Sequence, residues 1–479
     1  MASETSLFPL KPTLQLPSKR NSHETNSRRR PTNLLCLASL CLVSLITSLG
    51  DITHLTSTAL TSIEESSPIP PIIYTTLPTT IGTILAAAFL PPLTQLTQPP
   101  TQLTQSTKQH SPFPELRLAL PALLALTTLA STILRILATA PLHTLTLQNP
   151  PQNITFITTV MAHLLQGFAG GCSLALAMVL SGGGAQLRAV CACGALGAVF
   201  RAVAGGMDGV CEVDGGGKLA GWAGWWLLVG EVVLAFTAAG GLVLPGCVRW
   251  GGEEEGGDEG GGVRPEIGLP VAGGGGGYPP PASRATIFGA LFAFAYYAAA
   301  AAIPGGLDLL VSYGRSYTIE QSLTVFTTAS LWAGIAVGRF VALPWDGLIR
   351  PKQGVRRAVL AAGGFLIVFW LSPNPSRNTA VAAGLVGAVL GPVYPCVVGT
   401  VMRELGQDEM LSAIGIIVAF GHSGMVTALL TTQLAAYVDA PVVLYLVIVT
   451  LFGCMLVCWE ALTEKGDGGV VSDFRDDVW

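Results

Sequence analysis

The sequence is short of charge. Lys, Arg, Asp and Glu make up 11% of its 479 residues, less than half of the roughly 25% usual in a soluble domain. So little charge cannot clothe a water-facing surface, and with 50% hydrophobic residues and a mean hydropathy of +0.57 the composition excludes a soluble globular chain. A basic stripe is also missing. The net charge is -4, the acids gather in one linker and the C-terminal tail, and the bases lie near predicted helix ends, which excludes a nucleic-acid partner. No phosphate loop is present: the nearest approach, GGGKL ending at Leu219, has Glu212 where the first glycine is required and Leu219 where Ser or Thr must hold magnesium. A nucleotide-driven pump is excluded on that ground. Neither an HExxH helix nor a GxSxG elbow occurs, so the expectation is a non-enzyme with no cofactor and no metal.

Cysteine is not scarce, but it does not form a framework. Eight of the ten, Cys36, Cys41, Cys172, Cys191, Cys193, Cys396, Cys454 and Cys458, fall in apolar segments, where cysteine is a small packing residue. Cys211 falls in a loop expected outside and has no evident partner there.

The sequence does contain long apolar segments, about twelve of them, each near the 20 residues that span a bilayer. Six are expected at 34–62, 71–90, 116–140, 154–180, 188–203 and 219–244, the fifth short and weak. Six more are expected at 285–310, 322–343, 358–371, 380–402, 410–437 and 441–462. Between the two sets lies residues 249–284, which include GGEEEGGDEGGG and then GGGGGYPPP. Glycine and acid at that density cannot bury enough apolar surface to offset chain entropy, so a disordered linker is expected. The polar 1–33 and 463–479 are expected to be tails. The fold class is therefore all-α integral membrane, with one six-helix bundle at 34–248 and a second at 285–462.

Orientation follows from the positive-inside rule. With the N-terminus inside, nineteen of the 25 Lys and Arg fall on the inner side and four, Arg201, Lys218, Arg315 and Arg377, on the outer. Both termini are thus expected in the cytoplasm, in a multi-pass protein of the plasma membrane or of an internal membrane such as the vacuole. The Asn153-Ile154-Thr155 sequon then lies in an outer loop and is a possible glycan site.

Six plus six spans about a cytoplasmic linker is the layout of the major facilitator superfamily, and two stretches carry a closer resemblance. SLWAGIAVGRF followed by WDGLIRPKQGVRRAVL is similar to the characteristic loop of that superfamily, matched at Gly338, Arg339, Asp346, Gly354, Arg356 and Arg357 with a longer gap before Gly354. GAVLGPVYPCVVG and LSAIGIIVAFGHSG resemble the fucose-permease-like sugar transporters, with His422 where glutamine is expected. The resemblance covers 285–462 and is thin before it. It implies alternating access by two rocking bundles, with the first, fourth, seventh and tenth spans lining a central cavity.

Candidate site residues come from polar groups inside these spans. Asp51 is a carboxylate in the membrane, a functional candidate by default. His163 and Gln166, three apart, share one helix face, Tyr394 stands between Pro392 and Pro395, and His422 lies in the eleventh span. Asp51 and His163 can titrate, so protons are the expected coupling partner. Arg339, Asp346, Arg356 and Arg357 are expected to form a cytoplasmic gate, with simple obedience to the positive-inside rule open as the alternative for Arg356 and Arg357. The resemblance implies a sugar-like solute, while the few charges in the spans argue only against a highly charged one and leave another small neutral organic compound open; a monomer in the lipid bilayer is expected. A non-transporting receptor, sensor or scramblase is the alternative function.

Overall fold

The computed structural model describes residues 34–50, 71–96, 152–181, 184–213, 283–312, 321–342, 351–370, 375–405, 407–438 and 440–464, with isolated helical positions in 122–129 and 233–238. Among the described residues every element is helical. Lipid offers the backbone no hydrogen-bond partner, so an apolar run there satisfies its own amides as a helix. The helices are α1 Leu34–Gly50, α2 Pro71–Leu96, α3 Gln152–Leu180 and α4 Gly184–Val213, then α5 Arg284–Ser312, α6 Gln321–Val341, α7 Pro351–Trp370, α8 Pro375–Leu390, α9 Val393–Glu404, α10 Gln407–Tyr437 and α11 Pro441–Thr463. Four begin on proline, which suits a position whose amide has no partner inside the helix. Gly184 opens α4 at φ 60, a turn conformation that glycine adopts freely. Residues 1–33 and 465–479, the linker up to residue 282, Asp51 and Asp346 lie outside the described residues.

Three boundaries differ from expectation. The fifth span, read as short from its apolar core, is the 30-residue α4, because helix continues past the apolar stretch through the small residues after Val203. The ninth begins seven residues early at Pro351, which puts Arg356 and Arg357 inside α7. The tenth is two helices, α8 and α9, parted at Gly391 and Pro392. Pro392 has no N–H for Ala388 O, and Pro395 none for Gly391 O, so the helical ladder fails there.

Glycines set how the helices cross, and each half repeats one pattern. In the first half α1 meets α4 at Gly194 and Gly197, where an added Cβ would strike Ser44 and Leu45, and α2 meets α3 at Gly82 and Gly167. In the second half α5 meets α10 at Gly421 and Gly424, where a Cβ would strike Tyr297 and Phe294. There α6 meets α8 through Gly334 and Gly338 against the backbone at Gly384 and Ala388. Small residues let membrane helices approach closely. The same pairing of helices thus recurs before and after the linker.

The outward surface is apolar. On α11, Val442, Leu446, Val449 and Val457 form one exposed stripe, while Leu444, Ile448, Phe452, Met455 and Trp459 are buried on the other side. A stripe of that kind on a helix with only Glu460 charged suits lipid, not water. Among the described residues five helical stretches, Val160–Leu180, Arg284–Pro304, Ala380–Glu404, Glu409–Thr432 and Val442–Thr463, are long and apolar enough to cross a membrane.

Candidate functional site: a cavity between the halves

A cavity with about 840 Å³ of empty space, its solvent-open part included, lies where the two halves face each other. The first half lines it with Ser44, Thr47 and Ser48 of α1, Thr83 of α2, Gln166 and the Gly167, Gly170 and Gly171 face of α3, and Cys191 to Ala198 of α4. The second half contributes Tyr297 of α5, Trp332 and Arg339 of α6, Tyr394 of α9, and His422 with Met425 of α10. Glycines on the α3 face leave the volume unfilled, since Gly170 has nothing within 4 Å of where a Cβ would stand.

The chemistry centres on Arg339. Its side chain is 3% exposed. Nε donates to Gly391 O at 3.2 Å, Nη2 to Tyr296 Oη at 3.4 Å, and Nη1 to Cys191 O on α4 of the other half. The carbonyl of Gly391 is the one that Pro395 leaves without a helical donor, so the arginine repairs the break in the tenth span. Tyr296 Oη in turn donates to Leu390 O at 3.4 Å. Gly338, just before the arginine, brings α6 against Ala388 O, the other carbonyl released by a proline. The Gly-Arg pair and the G-P-x-Y-P run are thus two sides of one joint.

Aromatic rings complete the wall. Tyr394 stacks on Tyr296 with centroids 5.6 Å apart, and Tyr297 stands edge-on to it at 5.2 Å. The Arg339 guanidinium lies 5.9 Å from the Tyr394 ring centroid, in reach of a cation–π interaction.

The halves are tied at one end of the bundle. Besides Arg339 and Cys191, Gly415 of α10 lies against Leu90 and Ala87 of α2, and Gly399 of α9 faces Leu187 of α4. These residues sit at the helix ends that the Lys and Arg distribution assigns to the cytoplasm. At the same end Arg284 donates to Ala461 O at 3.1 Å and Trp459 Nε1 to Lys352 O at 2.9 Å, joining α5, α7 and α11.

Several solved structures share this architecture. A Major Facilitator Superfamily transporter, FucP, in the outward conformation matches with a TM-score of 0.54 at 13% identity, over 89% of this chain and 98% of that one. A bacterial homologue of the iron transporter ferroportin, outward-facing, matches at 0.53 and 12% over 90% and 99%. The human organic anion transporter MFSD10 matches at 0.53 and 14% over 90% and 98%. The chain has the major facilitator superfamily fold. No family model and no curated protein matches it by sequence.

Within that fold the predicted site residues separate. Gln166, Tyr394 and His422 come together at the cavity. His163 is fully buried in α3 one turn from Gln166. His422 Nδ1 lies 2.9 Å from Val418 O, one turn back along its own helix. Asp51 lies outside the described residues, just past the end of α1. The four residues expected as a gate do not form one cluster. Arg339 points into the cavity, Arg356 reaches Glu460 at 3.7 Å on the exposed surface, and Arg357 donates to Gln353 at 3.4 Å within its own helix. Asp346 lies outside the described residues. Asn153 is the second residue of α3, not a loop residue.

Reading the sequence missed Tyr296, Tyr297, Trp332 and the cavity role of Arg339. One signal was available: Trp332 and Arg339 are seven apart, two turns along one helix face, which directs both to the same side.

Proposed function

We propose that the protein is a secondary active transporter that moves a small organic solute by alternating access. On this reading twelve spans form two six-helix bundles, and protons drive the cycle. The observation that carries it is a cavity lined from both halves and closed at one end only by contacts between them, since such a site can change the side it opens to without being rebuilt. Tight α4–α6 and α2–α10 contacts at the inner end correspond to a state open to the outside. A fucose–proton symporter among the structural neighbours supports proton coupling, through Asp51 or His163. The low charge of the spans and the motif resemblance favour a sugar-like or other small solute, and MFSD10 widens the class to organic anions.

The test is uptake of labelled sugars and small organic acids into proteoliposomes, with and without an inward pH gradient. At least one solute should accumulate when the gradient is imposed. Asp51→Asn should retain exchange of that solute and lose its accumulation. Full accumulation by a folded Asp51→Asn protein would remove coupling through that residue, and no uptake of any solute would favour a receptor or sensor instead.

A further inference from the structure

We propose that the cavity selects a carboxylate anion, gripped by the guanidinium of Arg339. The inference deepens the transport reading and rests on it for the meaning of binding. A guanidinium carries five N–H donors and a charge that no accessible pH removes. In Arg339 three donors are spent, all on neutral oxygens, those of Cys191, Gly391 and Tyr296. Among the described residues nothing takes the second N–H on either terminal nitrogen, and none of the three acceptors carries a charge.

A cation buried to this degree is costly unless an anion meets it. Among the described residues lining the cavity there is no carboxylate, and Arg339 is the only fixed charge. The two remaining donors belong to the two terminal nitrogens, and each can donate to a carboxylate oxygen. Other unspent groups agree in sign. Gln166 Nε2 and Ser44 Oγ are buried without a hydrogen-bond partner, and both residues line the same cavity. An amide donor and a hydroxyl can each serve an additional acceptor oxygen. The walls of Tyr297, Trp332, Tyr394 and Met425 are apolar or aromatic and suit the hydrocarbon part of an organic acid better than a hydrated inorganic ion. A neutral sugar would satisfy the hydroxyl and amide but leave the charge unmatched. The low charge of the spans, which argues against a highly charged solute when only the sequence is read, here has a different meaning: among the described lining residues a single arginine carries the charge and dominates the field of the site.

The test uses the purified full-length protein in nanodiscs and isothermal titration with benzoate and acetate, their amides benzamide and acetamide, and L-fucose. Benzoate should bind at least about tenfold more tightly than benzamide, and acetate more tightly than acetamide. Arg339→Gln should abolish that preference. If the glutamine variant does not assemble, Arg339→Lys, which keeps the charge and loses the planar fork, should bind benzoate more weakly yet still prefer it to benzamide. Amides or L-fucose binding as well as the carboxylates, or no carboxylate binding at all, overturns the proposal. Proteoliposome uptake separates it from the transport reading. Carboxylate binding without uptake sinks transport and leaves anion recognition standing, whereas L-fucose uptake that benzoate does not compete with leaves transport and removes the anion.

Discussion

Arg339 shows how one side chain can hold a fold and face a site together. It supplies the donor that Pro395 denies to Gly391 O, reaches across to the other half, and borders the cavity. Tyr296 steadies it through a hydroxyl that accepts from the guanidinium and donates to Leu390 O. Tyr296→Phe removes both bonds without changing the ring stack on Tyr394, so a loss of about 1 kcal/mol is expected. Thermal unfolding in detergent would read it as a lower midpoint, and an unchanged midpoint would mean that water or lipid replaces the hydroxyl at no cost. The sequence disclosed this centre only in part. Tyr394, Gln166 and His422 were identifiable because polar groups inside apolar spans stand out. Arg339 was equally visible and was expected in a cytoplasmic gate, and its bond to Cys191 O across the halves is compatible with that place. What the sequence did not disclose is that the free carbonyls of the broken tenth span turn the guanidinium toward the cavity.

At the scale of the helix, glycine placement explains the crossings more directly than apolar pattern does. Nearly every span is apolar on all sides, so periodicity locates the helices without saying which face meets which neighbour. GALG at 194–197 in α4 and GHSG at 421–424 in α10 occupy equivalent places in the two halves and receive α1 and α5. That equivalence was in the sequence, but it has meaning only once the partners are known. The α6–α8 crossing is close, with Gly334, Gly338 and Gly387, and Gly391 just past the end of α8, each placed against the opposite backbone. Backbone cannot rotate away as a side chain can. Gly338→Val should therefore cost about 3 kcal/mol or more by overpacking and release the Gly-Arg joint with it. The expected outcome is a sharp fall in monodisperse protein on size exclusion, while Gly453→Val, at a position with nothing within 4 Å, leaves the yield unchanged. Equal yields for the two variants would contradict the crossing.

At the scale of the molecule the two halves meet over a cavity and are tied at the end assigned to the cytoplasm. The two-part reading rests on the Gly- and Glu-rich linker, which divides the apolar segments into two sets. The state of the molecule was not legible, since it depends on contacts between residues more than 100 positions apart. The central claim is that the halves rock about the cavity as rigid units, so that opening one end closes the other. Gly415 allows that to be tested without knowing the substrate. A side chain there meets Leu90 at 2.6 Å and the Ala87 Cα at 3.4 Å on the facing half, so Gly415→Leu is a wedge at the inner end. Spin labels at Ala185 and Glu404 report that end, and labels at Ile157 and Leu434 report the other. All four positions are exposed, and each pair spans the two halves. Double electron–electron resonance should show the Ala185–Glu404 distance lengthen and the Ile157–Leu434 distance shorten when Gly415→Leu is introduced. An inner pair that lengthens while the outer pair stays unchanged, or two pairs that move in the same direction, would contradict alternating access in this protein.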